Sequence, residues 1–205
     1  MKRGTAFLVA LVFVLGMVAA GAASILHDGL SARAQPSALE TAMAAVMRKL
    51  AMPSSARDAK NAVANSPEVL RDARLHFADH CAICHGNDGS GDTGLGRGMY
   101  PKPPDLRTAQ TQNRSDGEIF WIIENGVRLT GMPAFGDSGE HGNGQDSWKL
   151  VHFIRHLPAL TVEERIEMEK YNPKGPDELK EEQEERDFLS GAPEMPSARQ
   201  NHHRH

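Results

Sequence analysis

Apolar residues are nearly continuous from Thr5 to Leu26, TAFLVALVFVLGMVAAGAASIL, a stretch of 22 residues without a charge. As a helix it would extend roughly 33 Å, enough to cross a bilayer. Beyond it the spacing turns periodic. Leu39, Met43, Val46 and Leu50 recur at helical intervals between Ser37 and Ala51, behind a Ser37/Glu40 capping box and before a Met52-Pro53 stop. Pro53 to Ser66 has no periodicity and reads as a connector. Ser66-Pro67-Glu68 then opens a second helix, with Leu70, Ala73, Phe77 and Cys81 on one face. A Gly-rich loop, Gly86 to Gly98, and the prolines at 101, 103 and 104 exclude regular structure after it. Ser115 with Glu118 caps a short helix through Ile119, Ile122 and Ile123 that stops at Asn125-Gly126. Gly131 to Ser147 reads as loop, and DSWKLVHFIRHL, ending at Leu157, as a strongly amphipathic helix. Several short helices and no convincing strand predict an all-α fold.

Past Pro158 the charge changes. Residues 161–205 hold 12 acidic and 7 basic side chains, net -5, while residues 1–160 are net +1. Thr161/Glu164 predicts a helix through Tyr171, and a second charged segment covers Asp177 to Phe188. Both read as solvated, and the ending GAPEMPSARQNHHRH as disordered. The whole chain, net -4, gives no support to nucleic-acid binding. The expected layout is 1–34 signal-anchor and juxtamembrane stretch, 35–65 amphipathic helix and connector, 66–158 compact domain, and 159–205 acidic extension with a His-rich tail.

The N-terminal run is longer than the roughly 7–15 apolar residues of a cleavable signal, which favours a retained anchor. Ala20-Gly21-Ala22 and Ala32-Arg33-Ala34 nevertheless fit the small-x-small cleavage pattern. Lys2 and Arg3 stay cytoplasmic on either reading, so the rest of the chain is expected on the periplasmic side.

The candidate chemistry is concentrated in Cys81-Ala82-Ile83-Cys84-His85, which uses both cysteines of the chain. Two thiols one helical turn apart can add across the vinyl groups of one haem, and the histidine that follows is carried to the iron. C-x-x-C-H is the attachment signature of c-type haem. Zinc would need further cysteine ligands. A redox dithiol would need a βαβ surround that the helical pattern lacks. A disulfide across two residues leaves His85 unexplained.

The sixth iron position has two candidates. Met132, in Gly131-Met132-Pro133, follows His85 by 47 residues and lies in a loop between predicted helices. Met99 follows it by 14, before the Pro-rich turn. A Met thioether opposite His raises the reduction potential and closes the iron to outside ligands. Simple packing of the loop by Met132 is the alternative.

Taken together, Ala73-x-x-x-Phe77-x-x-x-Cys81, CAICHG, the Gly-rich loop, Pro104-Asp105-Leu106, the Met-Pro loop and the closing amphipathic helix resemble a class I monohaem cytochrome c. The resemblance covers roughly residues 66 to 158. It implies one covalent haem c per chain, crossed first and last helices that bring Ala73 and Phe77 against Phe153, and a Pro104 carbonyl facing the second nitrogen of His85. It also implies a single-electron carrier rather than an enzyme, with Cys81 and Cys84 holding the haem, His85 and Met132 holding the iron, and redox proteins as donor and acceptor. Two other readings remain: a fixed haem subunit of a larger membrane oxidoreductase, and a gas sensor or peroxidase-like protein with an open sixth site.

Other signals point less far. Gly89-Ser90-Gly91-Asp92-Thr93-Gly94 matches GxGxxG but follows no strand, so it reads as a flexible turn beside the haem. His76/His80 and His152/His156 read as solvated surface pairs, and His202, His203 and His205 as a candidate for weak divalent-metal binding.

Overall fold

The computed structural model describes residues 3–28, 31–136 and 144–190. Its elements are α1 (Arg3–Asp28), α2 (Ala38–Ala51), α3 (Ser54–Asp58), α4 (Pro67–His80), α5 (Ala82–His85), α6 (Ala109–Gln112), α7 (Asp116–Asn125), α8 (Gln145–His156), α9 (Val162–Glu169) and α10 (Pro176–Ser190). Among the described residues there is no strand.

The helix starts follow local chemistry. Capping boxes form at Ser37/Glu40, Ser115/Glu118 and Thr161/Glu164, and Ser66 caps α4 with Pro67 in the first turn. Each satisfies backbone N–H groups that have no partner within the helix.

The core is built where α4 and α8 cross. Phe77 and Phe153, both almost fully buried, meet with ring centroids 5.1 Å apart. A buried Phe contributes about 1.5–3 kcal/mol by area, and a tilted aromatic pair about 0.5–1.5 kcal/mol more. Ala73, Ala78 and Val151 fill the crossing, and their small size lets the helices approach. α7 closes one side with Ile119 and Ile123, and Phe120 stacks on Trp148 at 4.0 Å. The crossing implied by the resemblance is therefore present.

The connector does more than join. α3 lies on α7 so closely that a side chain at Gly117 would collide with the Ala56 carbonyl. Ser115 Oγ donates to the Arg57 carbonyl at 2.6 Å, and Asn61 Nδ2 to the Trp148 carbonyl at 2.9 Å. His152 Nε2 lies 2.8 Å from the Val63 carbonyl. Residues 52–63 thus form a strap across α7 and α8, with Met52 buried at one end.

The acidic extension divides. α9 packs on α4, with Met168 fully buried and Arg74 paired to Glu164 at 2.6 Å and to Glu167. α10 buries no residue and is solvated as expected. The surface reading of His152 and His156 needs correction. Both are half-buried, His152 bonding Val63 and His156 bonding Glu164 at 2.9 Å. The His-rich tail lies outside the described residues.

At the other end, α1 contains the 20-residue segment Gly4–Ala23, the one described helix long and apolar enough to cross a membrane. α2 behaves unlike the amphipathic helix of a packed domain. Its apolar residues point outward, with Leu39 70% and Leu50 80% exposed, and it turns Glu40, Thr41, Ala44 and Arg48 towards the domain.

Candidate functional site

A cavity of about 530 Å³ opens between α4, α5, α7 and the loops that follow them. Its size falls within the roughly 300–1,000 Å³ usual for cofactor sites. Apolar walls come from Phe77, Leu106, Ile119, Ile123, Leu150 and Ile154. Cys81, Cys84, His85, Pro104 and Met132 all line it. The fold thus brings every sequence-predicted site residue to one hole.

α4 ends at His80, and after the single residue Cys81 the chain continues as α5, which carries the rest of the motif. The Gly-rich loop fixes this short helix. Gly86 leaves α5 at φ 75, a left-handed conformation suited to glycine. Gly91 N–H donates to the His85 carbonyl at 2.7 Å, and Thr93 Oγ1 to the Ile83 carbonyl at 2.9 Å. A Cβ at Gly96 would stand 2.8 Å from the Cys84 carbonyl oxygen. Glycine spacing here serves close approach to the ends of α5. The loop that the sequence reads as a flexible turn is a hydrogen-bonded clamp.

Both cysteines are free thiols. Burial, and secondarily Cys84, pushes the Cys81 thiol up to about 12, and burial also raises Cys84. Redox-active cysteines show the opposite shift. The same burial lowers the His85 imidazole, and the Pro104 carbonyl works against that lowering. Pro104 therefore faces the ring, while His85 Nδ1 is buried without a partner at hydrogen-bonding distance and angle. Phe77 stands 6.5 Å from the same ring, centroid to centroid.

Met132 sits on a loop folded back against α7. Met132 N–H donates to Thr130 Oγ1 at 3.1 Å, and its carbonyl accepts from Val127 at 3.1 Å. Phe135 N–H closes the loop on the Ile123 carbonyl at 3.0 Å. Gly126 at φ 64 makes the turn out of α7, and a side chain there would press on Pro133. Met99 lines the cavity too, its thioether packed against Gly131. The two methionines that the sequence separates by 33 residues are neighbours.

The cavity fits the haem expected from the sequence. Two thiols, an imidazole and two thioethers line it, and the rest is mostly apolar. A buried ring nitrogen beside a backbone carbonyl is the arrangement that orients a ligating histidine. Unanticipated from the sequence is the contribution of α2 and Tyr100. Tyr100 Oη donates to Glu40 at 2.8 Å across the cavity's edge. The outward apolar stripe of α2 gives no sign in the sequence that the opposite face borders the site.

Among described residues, no group of three or more His, Cys, Asp or Glu side chains is placed to hold a metal ion. Residues 68–154 match the family model described as cytochrome C oxidase, cbb3-type, subunit III. No curated protein matches the chain.

Proposed function

Residues 68–154 being a monohaem c-type cytochrome domain with covalently bound haem and iron, we propose that the chain is a single-electron carrier. Haem-based electron transfer is the chemistry of such a domain. When bound, the haem supplies an iron that accepts and donates one electron. The residues do the rest. Cys81 and Cys84 would hold the group covalently, and His85 and Met132 would hold its iron. Pro104 orients His85 and strengthens it as a ligand. Ligands kept in both oxidation states limit reorganisation, and no bond of a substrate is made or broken. The convergence of Cys81, Cys84, His85 and Met132 on one apolar cavity carries this reading.

α1 serves in this reading as the membrane anchor, with the haem domain on the periplasmic side. Donor and acceptor are redox proteins of the same compartment, and tethering raises the domain's effective concentration beside membrane partners. The family description favours a second reading, in which the chain is a fixed haem subunit of a larger membrane oxidoreductase. Purification in mild detergent separates the two: a stoichiometric complex supports the subunit, a lone chain the carrier.

Carbon monoxide tests the site. The reduced wild-type chain is expected to show a c-type spectrum that the gas leaves unchanged. Met132→Ala should then bind the gas and Met99→Ala should not. The reverse pattern transfers the axial role to Met99. Gas binding by the wild type supports a sensor or enzyme instead, and absence of covalent haem in a host able to attach it ends the reading.

A further inference from the structure

The charged side chains around the cavity are unevenly matched. Arg48, Lys102 and Arg114 line it together with a single carboxylate, Glu40. Glu40 is already engaged, accepting from Ser37 N–H at 2.7 Å and from Tyr100 Oη at 2.8 Å. Among the described residues none of the three cations forms an ion pair. Arg48 is half-buried, and its guanidinium is pushed down by burial and by the neighbouring charge of Arg114. Two like charges on a partly dry wall are unfavourable unless an anion joins them.

Both arginines are held in place by neighbours. Met52 N–H bonds the Arg48 carbonyl at 3.1 Å, Met52 is buried, and α3 follows directly against α7. The Arg114 carbonyl accepts from Arg155, which also binds Asp116 at 2.8 Å. Both arginines line the cavity, and they come from two separate parts of the chain, one of them outside residues 68–154.

A haem carries two propionate groups, and planar guanidinium forks match carboxylates in shape and charge. We propose that Arg48 and Arg114 form a carboxylate-binding pair for the haem propionates, so that α2, outside the family-matched residues, completes the haem crevice. The proposal rests on the covalent-haem reading above. Removing one cation makes the surroundings more negative and favours the oxidised iron.

The test uses the haem-loaded full chain in detergent, with Arg48→Gln, Arg48→Lys and Arg114→Gln, and Lys174→Gln as a remote control. Resonance Raman bands of propionate bending report the carboxylates, and spectroelectrochemical titration reports the oxidised-to-reduced ratio at fixed potential. Both Gln variants should shift the propionate bands and raise that ratio by at least ~3-fold. Arg48→Lys should move it less, and Lys174→Gln should leave the bands in place. Bands identical to wild type in Arg48→Gln, with a ratio changed no more than in Lys174→Gln, overturn the proposal. Arg48→Gln decides even if Arg114→Gln fails to mature, because α2 buries no residue. A wild-type chain without covalent haem would instead sink the underlying reading.

Discussion

Met168 has no exposed surface, although the segment carrying it is mostly charged. Truncation to alanine would leave a cavity against α4 that the helix crossing cannot refill. Met168→Ala is expected to lower unfolding free energy by about 2–5 kcal/mol, measured by denaturant titration. A change below about 0.5 kcal/mol would mean that α9 does not dock in solution. Single residues also mark the limits of sequence reading. Cys81, Cys84 and His85 are legible as a candidate site because C-x-x-C-H is a local, five-residue pattern, and the fold places all three on one cavity. Met132 is singled out by its Met-Pro loop, but that Met99 shares its cavity is not legible, because this depends on how two distant loops return. His152 reads as solvated from the sequence because its partner, the Val63 carbonyl, lies 89 residues away.

Individual helices were legible from caps and apolar period, but not which face each turns inward. α9 illustrates the gap: its Glu residues read as solvated, yet Glu164 and Glu167 meet the buried Arg74. Burial alone would raise the Glu164 carboxyl, but the Thr161 amide, His156 and Arg74 outweigh it and hold the group below its ordinary 4.5. The stabilisation is therefore present above about pH 4.5 and is lost as pH falls through the lower folded value. Thermal melts should show wild-type stability declining with acid below that point, and Glu164→Gln a shallower decline. Equal slopes would count against the pairing. Ser115 joins two elements, capping α7 and bonding the Arg57 carbonyl. Ser115→Ala should cost about 1–2 kcal/mol in the same melts, and a neutral result would mean that the strap is not held there.

At the scale of the molecule, the helical shell draws on both flanks of the haem domain. Residues 52–63 strap one side and α9 covers another, whereas α10 covers nothing. Ending the chain at Pro173 should leave the haem spectrum and melting temperature essentially unchanged. Ending it at Leu160, which removes α9, should lower the melting temperature clearly. Equal melting of the two truncations would show that α9 contributes no more than α10. Composition makes the acidic extension look uniform, and only the pairing with Arg74 and the burial of Met168 distinguish its halves.

The strap also sets a length. Because α2 runs directly into the clamped residues 52–63, the chain between α1 and α2 is nine residues, 29–37. At no more than about 3.5 Å each, nine residues can reach at most roughly 30 Å. With α1 in a bilayer, the haem domain is leashed to a shallow hemisphere over its anchor. A partner whose electron entry point stands higher above the membrane is beyond its reach, and must lean down or send an intermediary.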